Sequence, residues 1–151
     1  MKLESPTFQE GAKIPKKYSC EGWDFSPPLT WNEIPEKTES LALTMNDPDA
    51  PGSVFVHWVI FNLPSSSREL LEGVSPVPQL PSGALQGKND FGKFGYGGPC
   101  PPPGSPHRYC FALYALDKQL ELQAGASQKQ VLNAMEGHIL AQDQLTGTYQ
   151  R

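Results

Sequence analysis

His57 and His107, two of the chain's three histidines, flank a stiff glycine-proline loop, Gly97-Gly98-Pro99-Cys100-Pro101-Pro102. A carboxylate-bearing turn, Asp47-Pro48-Asp49-Ala50-Pro51, stands shortly before the first of them, and His107-Arg108-Tyr109 follows the loop. Taken singly, each has a plain structural reading. Asp47 and Asp49 can cap a turn, His57 can be a satisfied core histidine, His107 beside Arg108 can be a solvated strand end, and Gly97-Gly98 can be a bend. Phe91 and Phe94, near Tyr96, read as packing. Together they suggest a site. A buried imidazole needs partners for both ring nitrogens, and a carboxylate can hold one while the other faces a ligand. Glycine admits close approach to backbone N–H donors, and proline fixes a loop before binding, which lowers the ordering cost. Two imidazoles, glycine amides and a tyrosine hydroxyl make a compact receptor for an oxyanion such as phosphate.

Other chemistries fit less well. Paired Cys-x-x-Cys and His-Glu-x-x-His spacings are absent, so no metal is expected. Cys100 beside a histidine would suit a thiol nucleophile, but it sits between two prolines with no helix start to activate it. No Gly-x-Ser-x-Gly elbow, P-loop or dinucleotide fingerprint is present, and no cofactor is expected.

The elements that must position these residues are mostly strands. Ser40–Asn46, Val54–Leu63, Arg108–Leu116 and a closing stretch from His138 to Tyr149 read as strands; the second and third are nearly unbroken apolar runs, the pattern of strands covered on both faces. Ser127-Gln128-Lys129-Gln130 has capping-box spacing ahead of Val131, Leu132 and Met135, and Gly137 suits the helix end. A second short helix is expected over Arg68–Glu72, stopped by Gly73. There are no internal repeats and no linker, so residues 1–151 are expected to form a single domain, mostly β: antiparallel sheets packed as a sandwich with a few short peripheral helices.

Composition narrows the partners. Hydrophobic residues make up 38% and charged residues 19%, and the formal net charge is −4, without a basic stripe, which excludes a nucleic-acid binder. No apolar run is long enough to span a bilayer, and Met1–Glu10 has no secretory pattern, so a cytoplasmic location is expected. The three cysteines, Cys20, Cys100 and Cys110, are few, odd in number and irregularly spaced, which does not read as a disulfide framework.

The motifs DPDAP (47–51), HWVIFNLP (57–64) and GPCPPPGSPHRYCFALYALD (98–117) resemble the conserved blocks of phosphatidylethanolamine-binding proteins. CEGWDFSPPLTWNEIP (20–35) and AMEGHILAQDQLTGTYQR (134–151) are similar to their short prokaryotic, Raf kinase inhibitor-like branch, so the resemblance covers essentially the whole chain. It implies antiparallel sheets and a small surface pocket for phosphate-like groups. Carried over motif by motif, Asp47, Ala50 and Pro51 form the acidic loop, His57 and His107 are the pocket histidines, Gly98 and Pro99 begin one wall, and Tyr109 is the pocket tyrosine. Phe55 falls where animal members carry an aromatic residue. Kinase inhibition is not implied, because a partner surface lies outside the matched motifs.

The expectations are therefore a binding module rather than an enzyme, with a phosphate- or carboxylate-bearing ligand; a further reading is an inhibitor or regulator of an unnamed protein partner, with the pocket secondary. A rival is a hydrolase using His57 or His107 as base with Asp47. Asp47, His57, Gly98, His107 and Tyr109 should converge on one pocket, at least one X–Pro bond there should be cis, Ala50–Pro51 first, and the chain should form a homodimer.

Overall fold

The computed structural model describes residues 1–151 and contains eight strands: β1 (Lys2–Glu4), β2 (Leu29–Asn32), β3 (Ser40–Asp47), β4 (Phe55–Pro64), β5 (Glu69–Leu70), β6 (Leu85–Gln86), β7 (His107–Leu116) and β8 (Ile139–Tyr149). One helix, α1 (Gln128–Met135), and a single 3-10 turn at Lys16–Tyr18 complete it. A five-stranded sheet runs β6-β4-β3-β7-β8 and a three-stranded sheet runs β1-β2-β5, with antiparallel pairing throughout.

The unbroken apolar runs are explained by burial on both faces. Leu41, Leu43 and Met45 of β3, Trp58 and Ile60 of β4, and Phe111 and Leu113 of β7 face the small sheet, where Leu3, Leu29 and Trp31 complete the main core. The alternate residues Ala42, Val59 and Phe61 face the other way and pack under Val131 and Met135 of α1. This is period-two alternation in which both periods are apolar. The mostly β, antiparallel sandwich expected from the sequence is the architecture found.

Two local expectations differ. The segment expected as a helix over Arg68–Glu72 is instead strand β5, because β2 claims its backbone: Leu29 and Thr30 pair with Leu70 and Glu69, and Trp31 N donates to Arg68 O at 3.0 Å. No peptide bond is cis. The Asp47–Gly52 turn closes by other means: Asp49 N donates to Asp47 Oδ1 at 2.8 Å, and Gly52 takes φ of +88°.

Helix α1 forms as its cap dictates. Ser127 Oγ accepts from Gln130 N at 3.2 Å, and Gln130 Oε1 accepts from Ser127 N at 2.9 Å, the reciprocal capping box. Ser127→Ala should lower the unfolding free energy by about 1 kcal/mol, read from the urea midpoint. A change below about 0.3 kcal/mol would show the cap to be dispensable.

Candidate functional site

Three adjacent strands of the large sheet bring their ends together. β3 ends at Asp47, β4 begins at Phe55 and carries His57, and β7 begins at His107 and carries Tyr109. Register makes them neighbours: Asp47 lies opposite Phe55, and Asn46 lies opposite both Val56 and Cys110. These side chains floor a cavity of about 130 Å³, walled by Ala50 and Pro51 on one side and by Phe91, Cys100, Pro101 and Pro102 on the other. That volume is well under the roughly 300–1,000 Å³ of drug-sized sites, so it suits one small polar group.

The polar groups are arranged in layers. Asp47 is buried, and its Oδ2 accepts from His107 Nδ1 at 2.7 Å, while Oδ1 is held by Asp49 N. His57 is also buried, and its Nδ1 lies 2.6 Å from Gly97 O. A carbonyl can only accept, so Nδ1 carries the proton and Nε2 is left without a protein partner. Phe55, Phe91 and Tyr109 meet the His57 ring at centroid distances of 4.9, 5.5 and 5.2 Å. Burial among them lowers its pKa below the ordinary imidazole value, against the opposing pull of Gly97 O and of Asp47, Asp24 and Asp90. Tyr109 is fully buried, and its hydroxyl lies close enough to the Asp47 carboxylate to feel it but without the distance and angle of a well-formed hydrogen bond. Burial first, then the charge of Asp47, holds the phenol well above its ordinary pKa, so it is a donor and not a phenolate.

His57 carries a pH consequence. Its folded pKa is depressed, so between that value and the unfolded value of about 6.5 the unfolded chain binds the extra proton. Stability should therefore rise with pH through this window and be lost as pH falls below about 6.5. Urea midpoints at pH 7.5 and pH 5.5 check this: the wild type should lose more on acidification than His57→Gln does. Equal losses would remove His57 as the cause.

Gly98 and Pro99 do not line the cavity. Gly98 N is engaged by Asp24 Oδ1 at 2.8 Å, so it is no free donor for a ligand, and a Cβ there would meet Tyr18 O and Asp24 Oδ1 at 2.3 Å. Its lack of a side chain serves packing of the wall against the N-terminal loop. Pro99 O accepts from Cys20 N at 3.0 Å in the same seam. The carboxylate that matters there, Asp24, lies in the 20–35 block that carries the resemblance, but nothing in its local spacing assigns it this role. Phe91, read from sequence as packing, stands 45% exposed at the mouth, edge-on to Phe55 at 4.8 Å.

The cysteine reading is corrected too. Cys20 and Cys100 form a disulfide with Cα atoms 5.4 Å apart, and Cys110 is free. The Cys20–Pro99 hydrogen bond brings together segments that sequence spacing cannot relate. The bridge removes Cys100 as a nucleophile, and a disulfide gives no support to a cytoplasmic location. At the far side of the wall, Arg151 Nε donates to Pro101 O at 2.6 Å. No group of three or more His, Cys, Asp or Glu residues is placed to hold a metal ion, and no helix is long and apolar enough to cross a membrane.

Comparison with known proteins agrees with this fold. The sequence profile described as Phosphatidylethanolamine-binding protein matches residues 4–150. A UPF0098 protein of Methanothermobacter thermautotrophicus is 51% identical over 100% of this chain and 99% of its own length. A second, from Aquifex aeolicus, is 50% identical over 100% of this chain and 89% of its own. Among solved structures, a phosphatidylethanolamine-binding protein homologue from Chlamydia trachomatis superposes with a TM-score of 0.90 at 42% identity, covering 99% of this chain and 96% of that one. YbcL of E. coli, described as a member of the mammalian PEBP family, gives 0.91 at 35% identity over 99% and 97%.

Proposed function

Since the chain belongs to the phosphatidylethanolamine-binding protein family, we propose that its cavity is a receptor for the phosphate or carboxylate group of a small ligand, working as a binding module without turnover. One observation carries this reading: the Tyr109 hydroxyl, fully buried in the cavity floor, makes no well-formed hydrogen bond in the protein, with only the Asp47 carboxylate near it. An unpaired buried hydroxyl costs about 1–3 kcal/mol. A ligand oxygen would recover that, with His107 Nε2 beside it as a second donor once its ring is protonated.

Asp47 and His107 are also the arrangement of a general base and its orienting carboxylate, which favours the hydrolase as the second reading. The residues around it speak for binding. Cys100 is bridged, Tyr109 is held protonated, and no serine or threonine lines the cavity. Calorimetric or NMR titration with inorganic phosphate tests the reading, with an expected dissociation constant of order millimolar, about 4 kcal/mol. Release of p-nitrophenol from p-nitrophenyl phosphate, absent in a His107→Ala variant, would replace it with the hydrolase. A homodimer belongs to the same proposal. Light scattering at tens of micromolar that returned the 16.6 kDa monomer mass would remove it.

A further inference from the structure

The cavity presents more than donors. His57 is fixed as the Nδ1–H tautomer by Gly97 O at 2.6 Å, and its ring is enclosed by Phe55, Phe91 and Tyr109. A neutral ring so held offers a lone pair at Nε2 that has no protein partner, and a ligand that displaces water from it has to bring a hydrogen-bond donor. Tyr109 Oη makes no well-formed hydrogen bond and can donate, and His107 stands on Asp47 on the other side. An ideal occupant therefore both accepts and donates.

The charges around the cavity point the same way. Asp47 from β3, Asp24 from the N-terminal loop, Asp90 from the loop before Phe91, and Asp49 all act on its histidine or tyrosine. Against them stand Arg108, already bound to Asp49 through Nε at 3.0 Å and Nη2 at 2.8 Å, and Arg151, whose Nε is held by Pro101 O. Carboxylates crowd the site more than free cations do, and a second negative charge on the ligand is repelled.

We infer that the cavity selects the singly protonated, monoanionic form of a phosphomonoester, whose P–OH donates to His57 Nε2 while its other oxygens accept from Tyr109 and from the protonated His107 ring. The inference rests on the oxyanion-receptor reading above and narrows it to a ligand class. Phosphodiesters and sulfate esters carry the same single charge but no such proton, and once seated in place of water they would leave His57 Nε2 facing an oxygen lone pair. Sites built around a ligand proton reject analogues that lack it more strongly than they reject a change in size.

Methyl phosphate and methyl sulfate are the probes, matched in shape and differing in that proton. Each is titrated against the full chain by NMR at pH 6 and pH 8. At pH 6 methyl phosphate should bind at least tenfold more tightly than methyl sulfate. At pH 8 its affinity should fall at least tenfold further than that of methyl sulfate, because a phosphomonoester loses its last proton near pH ~6. Methyl sulfate keeps its charge and reports the titration of the protein's own groups. In His57→Phe the preference at pH 6 should collapse to within about twofold; if that variant fails to fold, the wild-type pair of ligands still decides. Equal binding of both esters by the wild type at pH 6 overturns the inference and leaves the oxyanion receptor standing. Binding of neither overturns both.

Discussion

Reduction of the Cys20–Cys100 bridge, or Cys100→Ser, should cost the protein about 4 kcal/mol of stability. The bridge spans 80 residues of sequence, and the loop-closure entropy it removes from the unfolded chain is about 4–5 kcal/mol at 25 °C for a loop of that length. For a chain of this size that corresponds to a melting temperature lower by about 10 °C. Calorimetry of the protein with and without a reductant reads the shift directly, and thiol counting under denaturing conditions should find one free cysteine before reduction and three after. Identical melting curves, or three reactive thiols from the start, would show that the bridge does not hold the fold.

Asp47→Asn should weaken phosphate binding by about tenfold while the protein stays folded. The amide can still accept from Asp49 N, so the turn survives, but it can no longer pair as a carboxylate with a protonated His107. Losing a hydrogen bond to a charged group costs about 1.5–3 kcal/mol, removal of the Asp47 charge that repels the anion offsets part of this, and a remainder of about 1.4 kcal/mol is tenfold in affinity. The molecule contains its own control. Asp117 and His138 repeat the pair at 2.8 Å, but with side chains about 40% exposed, against 4% and 13% for Asp47 and His107. Water screens the exposed pair, so Asp117→Asn should change neither phosphate affinity nor the urea midpoint measurably. Affinities unchanged in Asp47→Asn would detach the dyad from the binding site.

What could be read in advance followed from local pattern. The runs at β3, β4 and β7 announced themselves because strands buried on both faces need apolar residues at consecutive positions, and Ser127 with Gln130 announced α1 because a cap is a short-range device. The histidines and Asp47 stood out because polar groups inside such runs need partners. The failures share the opposite character. β5 is two residues held by the edge of β2, and nothing in Arg68–Glu72 itself prefers that outcome. Strands β1 and β2 are too short to show a period. The partners of Cys20, Gly98 and Asp24 lie about 75–80 residues away in sequence, and their meeting depends on how the N-terminal loop is laid across the sheet.

The division of the cavity between strand ends and loops bears on how a site of this kind can change over evolutionary time. Asp47, His57, His107 and Tyr109 sit on strands hydrogen-bonded to neighbours, β3 and β7 on both edges, and their backbone amides should be among the slowest to exchange with deuterium. Ala50, Pro51, Phe91, Pro101 and Pro102 belong to loops whose exchange should be fast by comparison. Substitutions in those loops can alter which molecule is admitted at small cost to the fold, whereas substitutions in the floor meet the stability of the whole sheet. Members of such a lineage can thus diverge in what they bind while keeping one anchoring chemistry, because mutation acts on the walls and the floor under separate constraints.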